Sequence, residues 1–360
     1  MNKVAIIIPA YEPDERLIKL LEILDAKNLG PVYIVDDGSG DNYQKIFEKS
    51  KNIIARLGGI LLVHEKNKGK GQALKTAFAY ILENEQDIMA VVTADSDGQH
   101  TCECIGKVIS AIQENEECLI LGVRKFDTDG IPWKSRFGNN LTEKIFKYIT
   151  GVHVTDTQTG LRGIPRSYME ELLDIKGERF EFEMRMLLDA AEKRKIIEVP
   201  IKTIYDSEEN HQTHFNPLKD SIRIYRILGG KFVKYILSSV SSSLLDLILF
   251  GIFCMLLKKG HPVFYVTIAT VTARVFSAIY NYLINYKVVF KSKENVGTSA
   301  IKYFLLAMIQ MTCSAVLITI LVKLLPFGME VMYKIIIDTA LFFVSYSIQQ
   351  NLIFRKRKKG

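Results

Sequence analysis

Asp95-Ser-Asp97-Gly-Gln99-His100 places two carboxylates one residue apart at the end of an apolar run, Ile88 to Val92. On an extended segment, residues i and i+2 project the same way. Hard oxygen ligands so spaced suit Mg²⁺ or Mn²⁺, and such a metal usually also grips a substrate diphosphate. Taken alone, Asp-x-Asp is more often an acidic turn than a metal site. Here a second acidic turn, Asp36-Asp37-Gly38-Ser39, ends another apolar run, Val32 to Val35, and Pro9-Ala10-Tyr11 ends a third. Open α/β sheets bind ligands at the carboxyl ends of their strands. The three polar strand ends therefore imply one nucleotide-binding crevice.

The elements that must position these residues alternate. Val4–Ile8 precedes a helical pattern from Asp14 to Asp25, with Leu17, Leu20, Leu21 and Leu24 on one face. Tyr33–Val35 precedes a helix over Tyr43–Leu57, followed by a strand at Ile60–Val63. Lys66-Asn-Lys-Gly69-Lys70-Gly71 opens a helix from Gln72 to Leu82. Met89–Thr93 leads into the Asp95/Asp97 turn, and Cys118–Gly122 into Arg124. Such alternation predicts a parallel or mostly parallel sheet with helices on both faces.

The 360 residues suffice for two or more domains. A mean hydropathy of +0.11 averages two unlike halves. Residues 1–216 read as a soluble α/β domain. At 217–230, Leu218, Ile222, Tyr225 and Leu228 recur at helical spacing with Lys219, Arg223 and Arg226 between them, the pattern of an interfacial amphipathic helix. Residues 231–360 hold four apolar segments, Phe232–Leu257, Val263–Ile284, Tyr303–Leu325 and Met332–Phe354, each long enough to span about 30 Å of hydrocarbon. Lys231, Lys234, Lys287, Lys291, Lys293, Lys302 and the tail Arg355-Lys-Arg-Lys-Lys359 share one side of these segments. The positive-inside bias puts that side, both termini and the soluble domain in the cytoplasm of a multi-pass membrane protein. The net charge of +7 suits a membrane lipid flank; no nucleic-acid-binding module is recognisable, which argues against that partner. Asp246, Arg274 and Asp338 lie within the apolar segments, where ionisable groups form internal ion pairs or face a lipid-headgroup path. Five cysteines without a zinc-like second pair fit reduced thiols, and Ala5–Ala10 is too short for a secretory signal.

Together these motifs resemble a family-two glycosyltransferase of the GT-A fold, and within it the polyprenyl-phosphate sugar synthases of the dolichol-phosphate mannosyltransferase type. The residues are Pro9-Ala-Tyr11, Val35-Asp-Asp37-Gly-Ser39, Asn67-Lys-Gly-Lys-Gly71, Asp95-Ser-Asp97-Gly-Gln99-His100, Gly122-Val-Arg124, Asp156-Thr-Gln158-Thr-Gly160-Leu-Arg162 and Phe180-Glu-Phe-Glu183. Residues 231–354 resemble the GtrA-like four-helix membrane family through Arg274, Asn281-Tyr-x-x-Asn285 and Ser347-Ile-Gln-Gln350. The fold implied is a Rossmann-like GT-A catalytic domain followed by an all-α four-helix transmembrane domain.

That resemblance implies a nucleotide-sugar site of Pro9, Ala10, Tyr11, Glu12, Asp37, Lys70, Asp95, Ser96 and His214. Asp95, Asp97 and Gln99 would hold Mg²⁺ or Mn²⁺ with the donor diphosphate. An acidic pair alone repels diphosphate, and a divalent ion reverses the sign. Asp97 and Arg124 would be catalytic. Arg124, Arg136 and Asn140 would grip the acceptor phosphate; Arg136 and Asn140 are four apart on a predicted helix and share a face. Two departures stand out. Pro13 occupies the place of a common Glu, with Glu12 as its substitute, and the usual terminal basic residue has His214 as its candidate. The activity expected is transfer of a hexose-type sugar from a nucleotide to a polyprenyl phosphate at the cytoplasmic face, with inversion implied by the resemblance. An ionised phosphate nucleophile needs little from a general base, whereas a sugar-hydroxyl acceptor on a glycolipid, the alternative, needs a carboxylate. A flippase role for the membrane half is the third reading.

Overall fold

The computed structural model describes residues 3–124, 133–202, 217–258, 264–324 and 330–354, the side chains of 133–137, 217–225, 267, 322, 323, 330 and 331 excepted. The chain forms two compact units, Met1–Ile227 and Leu228–Gly360.

The first unit is built on β1 (Lys3–Ala10), β2 (Val32–Asp36), β3 (Leu61–Val63), β4 (Ile88–Thr93), β5 (Leu119–Arg124), β6 (Arg162–Pro165) and β7 (Ile196–Ile201). Their order is β3-β2-β1-β4-β6-β5-β7. All neighbours pair in parallel except β6, which is antiparallel to β4 and β5. The carboxyl ends of β1, β2, β4 and β5 consequently share one edge. β1 reads as a continuous apolar run because both its faces are covered, the mark of a buried parallel strand.

Helices α1 (Glu15–Ala26), α2 (Gln44–Arg56), α3 (Lys70–Asn84) and α4 (Cys102–Glu114) connect the first strands. Asp14 caps α1 by accepting from the Arg16 N–H at 2.9 Å, and Leu17, Leu20, Leu21 and Leu24 are buried as the spacing predicts. Thr101 caps α4 through the Cys104 N–H at 3.3 Å. Beyond β5 come α5 (Trp133–Thr150), α6 (Arg166–Leu173) and α7 (Glu181–Lys193).

The second unit contains most of α8 (Pro217–Leu257), then α9 (Tyr265–Ile284), α10 (Val296–Leu324) and α11 (Glu330–Ile348). The expected interfacial helix at 217–230 and the first apolar segment are one uninterrupted helix, α8. Among the described residues, Arg226–Leu257 and Val296–Leu321 are long and apolar enough to cross a membrane.

This unit contains an internal repeat. Tyr282-x-Ile-Asn285-x-x-Val-Val-Phe290 and Tyr346-x-Ile-Gln349-x-x-Leu-Ile-Phe354 align at a constant offset. Both asparagine and glutamine open a π-helical turn, Asn285–Val289 and Gln349–Ile353. The contacts repeat as well. Tyr282–Phe354 ring centroids lie 6.0 Å apart and Tyr346–Phe290 5.9 Å; Tyr303–Tyr282 lie 5.4 Å apart and Tyr235–Tyr346 5.1 Å. Equivalent residues meet each other where a pseudo-two-fold axis would pass: Phe290 stacks on Phe354 at 5.0 Å, and Asn285 Nδ2 donates to Gln349 Oε1 at 3.1 Å. The unit is two αα-hairpins, α8–α9 and α10–α11, packed as near-equivalents.

Candidate active site

At the end of β1, Pro9 and Ala10 are buried, and the chain turns through Tyr11 and Glu12. Glu12 adopts a left-handed φ of 49° and donates its N–H to Ser39 Oγ at 2.8 Å, which ties this turn to the β2 turn. A hydrogen bond to Glu12, with smaller contributions from burial and nearby acids, holds the Tyr11 hydroxyl toward its neutral form.

Asp37 is buried at the end of β2. Its Oδ1 accepts from His64 Nδ1 at 2.7 Å and the Lys68 N–H at 2.9 Å, and its Oδ2 from the Gly69 N–H at 2.7 Å. His64 is held in turn by Thr76 Oγ1 at 2.9 Å. Gly38 lies so close to the Lys66–Asn67 backbone that a Cβ would come within 2.4 Å of it, and its φ is +73°. Asp37 thus fixes the loop that launches α3 and leaves Lys70 as the first residue of that helix.

Lys70 Nζ sits 2.7 Å from Asp95 Oδ1 and 3.1 Å from Glu183 Oε2. Asp95 Oδ2 lies 3.3 Å from His100 Nε2. Burial opposes ionisation of Asp95, but Lys70 and His100 outweigh it and hold the carboxyl well below the usual range. Burial likewise opposes the Lys70 charge, and Asp95 and Glu183 reverse that too. Glu183, at the start of α7, is 4.0 Å from the buried Arg162, whose guanidinium also donates to Thr159 O and Glu183 O. An Asp95–Lys70–Glu183–Arg162 chain of alternating charge therefore runs beneath the turn. Lys70, placed by sequence in the nucleotide-sugar site, thus faces two carboxylates; Glu183 has no role in the sequence reading, where its only signal is its place as the last residue of Phe180-Glu-Phe-Glu183.

Asp97 Oδ1 accepts from the Gln99 N–H at 3.0 Å. Burial, then the charge of Asp95, push its carboxyl pKa upward. Two carboxylates that repel one another in this way are a donor set that a divalent cation would relieve. Among the described residues no three His, Cys, Asp or Glu side chains gather around one point. The pair fits Mg²⁺ or Mn²⁺ in the manner in which one or two carboxylates share the ion with water and substrate phosphates. Ser96 lies between the two acids, half-buried.

Arg124 ends β5 on the same edge. Its Nε and one terminal nitrogen meet Asp156 Oδ2 and Oδ1 at 2.7 and 3.1 Å, and Asp156 is fully buried. This bidentate clamp sets the plane of the guanidinium. On α5, Asn140 is exposed, while its neighbour Asn139 is buried and donates to Thr155 O at 2.7 Å. The Arg136 side chain and His214 lie outside the described residues.

The sheet order, with β6 reversed among parallel strands, and its rim of acidic and basic strand ends fit a GT-A fold. Residues 5–173 match the model of glycosyl transferase family 2, and residues 234–354 that of the GtrA/DPMS transmembrane domain. A UDP-N-acetylglucosamine–dolichyl-phosphate N-acetylglucosaminyltransferase of Methanococcus voltae is 35% identical over 215 residues, covering 56% of this chain and 85% of the relative. An undecaprenyl-phosphate 4-deoxy-4-formamido-L-arabinose transferase of Proteus mirabilis is 29% identical over 178 residues, 48% of this chain and 52% of its own. Among solved structures, a mannosyltransferase from Pyrobaculum calidifontis with GDP-Man and Mn²⁺ is similar at a TM-score of 0.40 and 13% identity, covering 97% of this chain and 87% of its own. The chain belongs to glycosyl transferase family 2 and carries a GtrA/DPMS transmembrane domain behind its catalytic unit.

Proposed function

We propose that this enzyme transfers a hexose-type sugar from a nucleotide-sugar to a polyprenyl phosphate at the cytoplasmic face of a membrane, with inversion and with Mg²⁺ or Mn²⁺. The observation that carries the reading is the pairing of two charge sites on one sheet edge. An acidic turn at the end of β4 suits a metal-bound diphosphate, and a clamped guanidinium at the end of β5 suits a second, metal-free phosphate. The names of the two relatives, with dolichyl and undecaprenyl phosphate in them, support such an acceptor.

Asp95 and Asp97 would hold the metal, which supplies Lewis-acid stabilisation of the departing nucleoside diphosphate. The turns at Pro9–Glu12 and Asp36–Ser39 would receive the nucleoside, joined as they are through Ser39. Arg124, its plane set by Asp156, would orient the acceptor phosphate for attack on the anomeric carbon. That phosphate is already ionised, so the site needs no carboxylate base to deprotonate it. Arg136, Asn140 and His214 would complete the two phosphate sites, and the paired hairpins would present the lipid.

Purified full-length protein, supplied with Mn²⁺, a panel of nucleotide-sugars and undecaprenyl or dolichyl phosphate, should form one lipid-linked product identifiable by mass. Transfer only to a glycolipid hydroxyl would overturn the acceptor assignment.

A further inference from the structure

The Asp95–Lys70 pair holds a positive charge next to a carboxylate where a divalent cation is expected. We propose that Lys70 is a resident counter-ion that stands in for the metal at Asp95 and yields to it only when a diphosphate arrives, so that metal and donor enter together. The proposal rests on the nucleotide-sugar reading above.

The two acids of the turn are not equivalent. Asp95 has both oxygens engaged, one by Lys70 Nζ at 2.7 Å and one by His100 Nε2 at 3.3 Å. Asp97 has, among the described residues, only the Gln99 N–H on its Oδ1. A free divalent ion meets one receptive carboxylate and one already neutralised by an ammonium. Two cations competing for the same carboxylate oxygen repel strongly in a partly buried site. A metal-bound diphosphate changes that balance, because its oxygens offer Lys70 a new anion.

Lys70 is built for such a transfer. Its backbone is fixed: the preceding Gly69 donates to Asp37, and a Cβ on Gly69 would come within 2.4 Å of Glu178 O. Its tip is a point charge on a flexible four-carbon stem. Glu183 Oε2, 3.1 Å from Nζ, keeps the ammonium charged and nearby after it leaves Asp95. Glu183 is itself held against the buried Arg162, so this second anchor stays in place.

The test is Mn²⁺ binding, followed by the electron paramagnetic resonance signal of free Mn²⁺, for the full chain with and without UDP or GDP. Wild type should bind Mn²⁺ weakly alone and tightly with the matching nucleoside diphosphate. Lys70→Met should bind Mn²⁺ alone at least about tenfold more tightly, since removing a neighbouring charge shifts carboxylate affinities by about ten- to thousandfold. It should also lose most of the gain from nucleotide. Lys70→Met with Glu183→Gln, which preserves the net charge of the site, should show the same gain and guards against a single variant that fails to fold. If wild type responds to nucleotide but neither variant binds Mn²⁺ more tightly alone, the counter-ion proposal is wrong and the metal-dependent reading stands. If no nucleoside diphosphate brings Mn²⁺ to wild type, both fall.

Discussion

Gly160→Ala should disable transfer while sparing the fold. Gly160 stands against the acidic turn: a Cβ there would lie 2.3 Å from Asp95 Oδ2 and 2.8 Å from Oδ1. The backbone at 160 cannot retreat easily, because Thr93 Oγ1 donates to Gly160 O at 2.7 Å. The carboxylate must give way instead. Moving from 2.3 Å to the 3.4 Å of ordinary contact displaces it by about 1 Å and strains its contacts with Lys70 and His100. A misplacement of that size costs about a hundredfold in turnover. Overpacking of this kind costs about 1–3 kcal/mol of stability, well short of unfolding an ordinary domain. Transfer to undecaprenyl phosphate at saturating donor and Mn²⁺ measures the first effect, and chemical denaturation the second. Gly106→Ala, in α4 where an added Cβ meets nothing within 4 Å, is the control and should gain up to about 1 kcal/mol. A Gly160→Ala enzyme that works at the wild-type rate would refute the placement of Asp95 in the machinery.

Asp97→Asn keeps the shape of the turn but removes the charge proposed to hold the metal, so product formation should collapse in a protein of normal thermal stability. Asp156→Asn weakens the clamp on Arg124 by one charge-assisted contact, typically about 1.5–3 kcal/mol; apparent affinity for lipid phosphate should fall while nucleotide affinity, measured calorimetrically, holds. Asp37→Asn exchanges a carboxylate that accepts three hydrogen bonds for an amide with one acceptor oxygen. It should lose about 1.5–3 kcal/mol in denaturant unfolding and weaken nucleotide binding through the loop before α3. Asn285→Ala leaves Gln349 Oε1 without its donor and should lower the thermal stability of detergent-solubilised protein by roughly 0.6–1.7 kcal/mol equivalent, with nucleotide binding unchanged.

The strand ends were readable because a polar residue after a short apolar run marks a sheet edge whatever the topology. β6 and β7 were not. β6 has four residues, begins with a buried arginine and ends in proline; β7 contains Pro200, which argues against a strand unless that strand lies at the sheet's edge, as β7 does. The acidic turn was legible, yet its electrostatics were not. Glu183 arrives from α7, far along the chain, and only the fold shows that Lys70 faces carboxylates on both sides. Asn139 and Asn140 differ by one position, and helical phase alone did not tell which is buried. The membrane repeat escaped because scattered tyrosines, amides and phenylalanines carry it, rather than a continuous run.

The pairing of hairpins bears on how the chain is made. Synthesis delivers α8 and α9 before α10 and α11. A nascent chain ending at Phe290 already holds Asn281 and Asn285, but Tyr303 and Gln349, which bond to them, do not yet exist. Within the first hairpin Asn281 Nδ2 already donates to Ser238 O and Asn285 Nδ2 to Asn281 Oδ1, so what the second hairpin adds is the tie between the two, Tyr303 to Asn281 and Asn285 to Gln349. The first hairpin thus carries polar partners of its own for Ser242, Asn281 and Asn285 before the second exists, and release of α8–α9 ahead of α10–α11 is the order of events that this arrangement permits.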